Sequence, residues 1–173
     1  MSPSAAAVLA VTAFAALSLI LSTLRLGIGP SPTSPAVRRL MLSLIPRETA
    51  GPVYELGSGW GGLARALARH CPQAQVVALE AALLPWAFSR LVQALAPLPN
   101  LELRRGNFFD VPLESPSLVV CYLFTGAMQR LAERLPAGTA VVTSTFALPG
   151  RAPAQTLRAD DLYRTPVYRY DAQ

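Results

Sequence analysis

Short apolar runs recur along this chain and stop at a glycine, a proline or an acid: Val53–Leu56, Gln75–Glu80, Ser117–Phe124 and Thr139–Phe146. Runs of this length read as strands covered on both faces. Leu101–Gly106 alternates instead, as a strand with one wetter face does. Between these stretches the apolar residues fall at helical spacing. One helix is expected from Leu63 to His70, an amphipathic one from Pro85 to Leu95, and a short one from Ala127 to Leu135 with Met128, Leu131 and Leu135 inward. A further helix precedes the first strand, with Ser34 as N-cap, Pro35 at the first helical position and Val37, Leu40, Met41, Leu44 and Ile45 on its buried side. Gln155–Tyr163 and Val167–Tyr170, around Thr165-Pro166, read as a closing hairpin. Strands and helices alternating in this order imply a doubly wound α/β sheet.

Ahead of this pattern, Ala5–Leu24 runs without a charge for about twenty residues, enough at about 1.5 Å per residue to cross a hydrocarbon core of about 30 Å. It is expected to be a single transmembrane helix, with burial against the domain or a partner as the alternative. Arg25, Arg38, Arg39 and Arg47 all follow it and no basic residue precedes it, which orients the remainder of the chain to the cytoplasm. Gly27–Pro35 is too rich in glycine and proline for helix or strand. The expected division is an anchor over 1–26, a connector and helix over 27–50 and a catalytic domain over 51–173.

Composition changes this picture little. The chain of 173 residues has 15 basic and 10 acidic side chains, a net charge of +5, and every basic one is arginine. The arginines are scattered, without the aromatic interleaving of a nucleic-acid groove. The two cysteines, Cys71 and Cys121, suggest neither a disulfide framework nor a metal site.

The chemistry concentrates at Val53–Gly62, a strand running through glycines into a helix. Such a turn lets a ligand approach the backbone and the positive end of the helix. Gly57, Gly59 and Gly62 match G-x-G-x-x-G, while Gly57, Gly59 and Gly61 match G-x-G-x-G, so the glycines alone leave dinucleotide and other ligands open. Glu55, two residues before the first glycine, would repel a pyrophosphate but can pair with an ammonium group. Glu80, at the end of the second apolar run, is placed to accept two hydrogen bonds from a ribose diol, and would be hydrated in an empty cleft.

An acid followed by Gly-x-Gly-x-Gly resembles motif I of the class I S-adenosylmethionine-dependent methyltransferases. The closing hairpin resembles the end of their seven-stranded sheet, whose last strand is antiparallel. The hydrophobic N-terminus, the Pro30-Ser31-Pro32-Thr33-Ser34 connector and the Phe146-Ala147-Leu148-Pro149 run are further similar to the small membrane-anchored protein-lysine methyltransferases of the ATP synthase c-subunit lysine methyltransferase family and their prokaryotic relatives. The resemblance implies S-adenosylmethionine as cofactor, met by Thr33, Glu55, Gly57, Ser58, Gly59, Gly61, Glu80, Asn107 and Phe108, the last two beside the adenine. It implies methylation of a protein lysine, possible substrates including membrane proteins, with Tyr122, Thr125 and Asp110 as candidate catalytic residues at the carboxyl edge of the sheet. The Asn/Asp-Pro-Pro-Tyr/Phe motif of many amino-group methyltransferases is replaced here by Tyr122-Leu123-Phe124-Thr125, which weakens the acceptor assignment. Two other readings stay open: an NAD(P)-dependent oxidoreductase, and a non-catalytic binding module of the same fold.

Overall fold

The structure is a computed structural model that describes residues 2–26, 32–115 and 117–172, several side chains of the N-terminal helix excepted. Seven strands form one sheet: β1 Val53–Leu56, β2 Val76–Glu80, β3 Leu101–Arg105, β4 Ser117–Cys121, β5 Thr139–Ser144, β6 Gln155–Arg158 and β7 Pro166–Tyr170. Their order is β3-β2-β1-β4-β5-β7-β6. The first five run parallel, and β7 runs antiparallel to both β5 and β6. The expected sheet with its antiparallel hairpin is therefore present. Because β1 lies between β2 and β4, the chain direction of the crossovers reverses at β1, and the crevice of an open α/β sheet forms at its carboxyl end.

Among the described residues five α-helices complete the fold: α1 Pro3–Leu26, α2 Pro35–Ser43, α3 Gly62–His70, α4 Leu83–Leu95 and α5 Thr125–Ala132. Ser34 caps α2 as expected, its Oγ accepting from the Val37 N–H at 3.3 Å. Alternation along each strand splits the core in two. Val53, Val76, Ala78, Leu103 and Val120 face α2 and α3, and Tyr54, Leu56, Leu79, Val119 and Val141 face α5. Two strands stop short of their apolar runs. Tyr122–Phe124 leaves β4 to lead into α5, and Thr145–Phe146 leaves β5.

The expectation for α4 was right in kind and incomplete in direction. The helix is amphipathic, but it buries Pro85 and Ser89 and turns Phe88, Leu91 and Leu95 outward, at 48%, 58% and 78% exposure. Its inner face must be small because the glycine turn lies against it: a Cβ at Gly61 would sit 2.6 Å from Ser89 Oγ. The Arg65 guanidinium ties α3 to the end of α4 through Gln93 Oε1 at 2.8 Å and the Ala96 carbonyl at 2.6 Å.

The expected membrane-spanning segment lies within α1, which reaches α4. Among the described residues, however, no helix is long and apolar enough to cross a membrane. Alanine, serine and threonine make up much of α1, and residues such as Thr12 keep a hydroxyl on its surface, bonded to the Val8 carbonyl at 2.9 Å. Residues 27–31 of the expected connector lie outside the described residues.

Among the described residues, neither core cluster includes a residue of α1. Deleting residues 1–26 should therefore leave a cooperative melt and an unchanged far-ultraviolet circular dichroism per residue of sheet. A truncated chain without a cooperative transition would show that α1 belongs to the core.

Candidate active site

At the end of β1 the chain turns through three glycines with left-handed backbone, Gly57 at φ 74°, Gly59 at φ 53° and Gly61 at φ 78°. Gly62 is already the first residue of α3, so the G-x-G-x-G spacing is the one the backbone uses. The three positions serve different ends. A Cβ at Gly57 would lie 3.2 Å from Leu123 Cδ2 and one at Gly61 would strike Ser89, whereas one at Gly59 would meet no atom within 4 Å. Gly57 and Gly61 are packing glycines, and Gly59 faces open space.

The turn's donors are already engaged. Gly57 and Ser58 both donate to the Leu79 carbonyl, at 2.9 and 3.0 Å, and Gly61 donates to the Ser58 carbonyl at 3.0 Å. The Gly59 N–H donates to Glu80 Oε2 at 2.7 Å, and Glu80 Oε1 accepts from the Ala82 N–H at 2.7 Å. Glu80 is 7% exposed. It is thus a buried clamp on the turn rather than a hydrated acid, because two backbone donors satisfy the carboxylate where water was expected to. This also argues against a pyrophosphate ligand: the nest that would cradle it already holds an anion.

Glu55 is 3% exposed, and its Oε2 has no hydrogen-bond partner among the described residues. Burial, and secondarily the charge of Glu80, push its carboxyl well above the usual carboxylate range. Two acids on adjacent strands, one with an oxygen that has no partner among the described residues, suit a cationic ligand. Cys121 on the neighbouring strand is held as a thiol, burial pushing it up to about 12.

The sequence model of the ANTKMT methyltransferase domain matches residues 55–155, from Glu55 through the start of β6. The chain belongs to that family. It is an S-adenosylmethionine-dependent methyltransferase, which removes the dinucleotide alternative. A protein-lysine N-methyltransferase of Saccharolobus islandicus (strain REY15A) is 26% identical over 140 residues, 75% of this chain and 84% of the relative. The crystal structure of an RNA methyltransferase from Salinibacter ruber in complex with S-adenosyl-L-homocysteine is 30% identical, with a TM-score of 0.70 over 82% of this chain and 94% of that one. The Bacillus subtilis m1A22 tRNA methyltransferase TrmK shares the fold at 13% identity, with a TM-score of 0.64 over 82% of this chain and 67% of its own.

The residues present fit the cofactor. The orphaned Glu55 oxygen is a partner for an ammonium group, and a carboxylate with two lone pairs left, as on Glu80, can still accept from hydroxyls. Thr33 stands just before the α2 cap, half-buried, and Ser58 is buried behind the turn. Asn107 is exposed at the tip of β3, but its Oδ1 is spent on the Phe109 N–H at 3.1 Å, capping the short 3-10 turn Phe108–Asp110. Phe108 is half-buried against Phe109, and Asp110 is exposed. Tyr122 is half-buried and Thr125 exposed where β4 passes into α5, so these two and the 108–110 turn share the carboxyl edge of the sheet.

Sequence reading missed two neighbours. Ser89 donates to the Gly59 carbonyl at 3.3 Å, a contact 30 residues apart that no local pattern discloses. Thr145, at the tip of β5, holds φ 69°, a strained conformation for a β-branched residue, with its N–H donating to the Pro166 carbonyl at 2.8 Å. The Tyr170 hydroxyl accepts from the Leu148 N–H at 2.8 Å and pins the Phe146–Pro149 run there.

Two outcomes follow. Gly59→Val should fold, at a cost of about 1–3 kcal/mol for its left-handed backbone, but lose S-adenosylmethionine binding by calorimetry, while Gly61→Val should melt much lower even without ligand because it strikes Ser89. Equal loss of folding in both would put Gly59 in the packing class. For Glu55, a folded carboxyl raised above its unfolded value stabilises fully at low pH and loses that stability as pH rises from the ordinary carboxylate range through the raised value. Glu55→Gln should therefore melt higher than wild type near about pH 8, differ little near about pH 4, and bind the cofactor more weakly. Parallel melts of the ligand-free proteins check this, and identical pH profiles would overturn it.

Proposed function

We propose that this methyltransferase modifies a lysine side chain of a protein at a membrane. The observation that carries the reading is its membership of a family whose model spans residues 55–155, joined by its likeness to a protein-lysine methyltransferase. The bound cofactor supplies a methyl group on a sulfonium, open to in-line displacement by an amine. The chain's own task is then positional: to hold the acceptor in near-attack geometry and to keep its nitrogen neutral. Glu55 would pair with the cofactor ammonium and Glu80 would accept from the ribose hydroxyls, and Thr33, Gly59, Asn107 and Phe108 would help hold the group. Tyr122, Thr125 and Asp110 orient the amine and lead its proton to solvent. The uncharged stretch of α1 supports attachment to a membrane, and the arginines that follow it, Arg25, Arg38, Arg39 and Arg47, support a cytoplasmic catalytic domain.

A second reading, methylation of RNA, is favoured by the likeness to the Salinibacter ruber enzyme and by the net charge of +5. The test supplies labelled S-adenosylmethionine with membrane extract and with total RNA. Methyl-lysine in hydrolysed membrane protein is the expected product, reduced at least tenfold in Tyr122→Phe or Asp110→Asn. Label in RNA alone would overturn the lysine assignment.

A further inference from the structure

Ten large apolar side chains stand out as exposed among the described residues, and eight of them lie on α1 and α4, which touch. Val8, Leu9 and Leu17 represent the first helix, and Phe88, Leu91 and Leu95 recur at helical spacing on the second. A crossover helix of an α/β sheet ordinarily puts its polar side outward. Here the outer side is apolar, and α1, which touches α4, also turns large apolar side chains outward.

The charges around that face have one sign. Neither helix contains an acid, and α4 carries a single charge, Arg90. The guanidiniums of Arg90 and of Arg105, at the tip of β3, each lie 5.9 Å from the centroid of the Trp86 ring. Both arginines are exposed and neither joins an ion pair among the described residues. Exposed apolar side chains rimmed by arginines match the boundary between acyl chains and anionic headgroups. A second copy of the chain fits less well, since pairing two such faces would bring their arginines together with no acid to meet them.

We propose that the α1–α4 face docks on an anionic lipid surface, with Leu91 and Leu95 entering the acyl boundary and Arg90 and Arg105 on the phosphates. This deepens the membrane reading above and is independent of which acceptor is methylated. The face adjoins the cleft directly. Leu83 follows Ala82, whose N–H Glu80 holds, and Phe88 packs edge-on against Trp60 of the glycine turn at 5.6 Å and 79°. Docking there holds the cleft against the bilayer and selects an acceptor lysine close to the membrane surface.

The experiment is flotation of the full chain with vesicles of phosphatidylcholine alone or with phosphatidylglycerol added. Wild type should float with the anionic vesicles. The double variant Leu91→Ser, Leu95→Ser should bind them at least tenfold more weakly, and Arg90→Glu should lose the preference for anionic lipid. Calorimetry with S-adenosylmethionine on the same samples should give wild-type affinity for both variants, which separates a failure of docking from a failure of the methyltransferase reading. Equal flotation of wild type and the double variant would overturn the proposal, as would no flotation of wild type with either lipid. A vesicle-free dimer that the double variant converts to monomer, without lipid binding, would assign the face to a second copy instead.

Discussion

The carboxylate of Glu80 joins the three segments on which the cleft depends. One oxygen holds the Gly59 N–H and the other holds the Ala82 N–H, so the tip of β2, the glycine turn and the start of α4 are a single unit. Charge-assisted bonds of this kind are about twice as strong as neutral ones. The backbone bonds of Gly57, Ser58 and Gly61 shape the rest of the turn, whose three glycines sit in left-handed backbone that glycine adopts freely. Ser89 completes the unit from the other side by donating to the Gly59 carbonyl.

That unit leaves an electrostatic problem at its centre. Glu55 and Glu80 stand at neighbouring strand tips, and Glu55 has no partner for one oxygen among the described residues. In the empty protein, burial and the charge of Glu80 favour the neutral form of Glu55. A cationic ligand shifts that balance toward the carboxylate by bringing an opposite charge beside it. The site is therefore less stable empty than an apolar replacement would be, and the deficit is recovered on binding. A pyrophosphate would make the same arrangement worse, which is a physical reason for this fold's glycine turn to serve a different cofactor class here.

The order of strands and helices was legible because parallel strands buried on both faces cannot hide: Val53–Leu56 and Ser117–Cys121 are uniformly buried, and apart from Glu55 and Ser117 their sequences are apolar. Their carboxyl ends were over-read for the same reason. Leu123 is apolar because it packs beside Gly57, and Phe124 because it packs against the second core cluster, rather than because they pair in the sheet. Glu55 and Glu80 were legible as acids at strand tips. The engagement of Glu80 was not, since its partners lie 21 and 2 residues away and only the fold brings the first of them near. Periodicity disclosed that α4 has an apolar side; it carries no information about which way that side points.

The orientation of α4 follows from the cleft itself. The glycine turn needs a close neighbour to stay compact, and a small side chain is what lets a helix approach it. Ser89 and Pro85 therefore face inward, Leu84, Trp86 and Val92 are half-buried at the flanks, and Leu83, Phe88, Leu91 and Leu95 of a helix only 13 residues long are left outside. The residue that closes the turn and the residues that form the outer apolar face are thus two consequences of one packing constraint. A substitution that made α4 conventionally amphipathic, with leucine at 89 and polar residues at 91 and 95, would push the helix off Gly61 and open the cleft it covers. The exposed apolar surface is in this sense tied to the cofactor turn, and whatever covers that surface lies beside the mouth of the site.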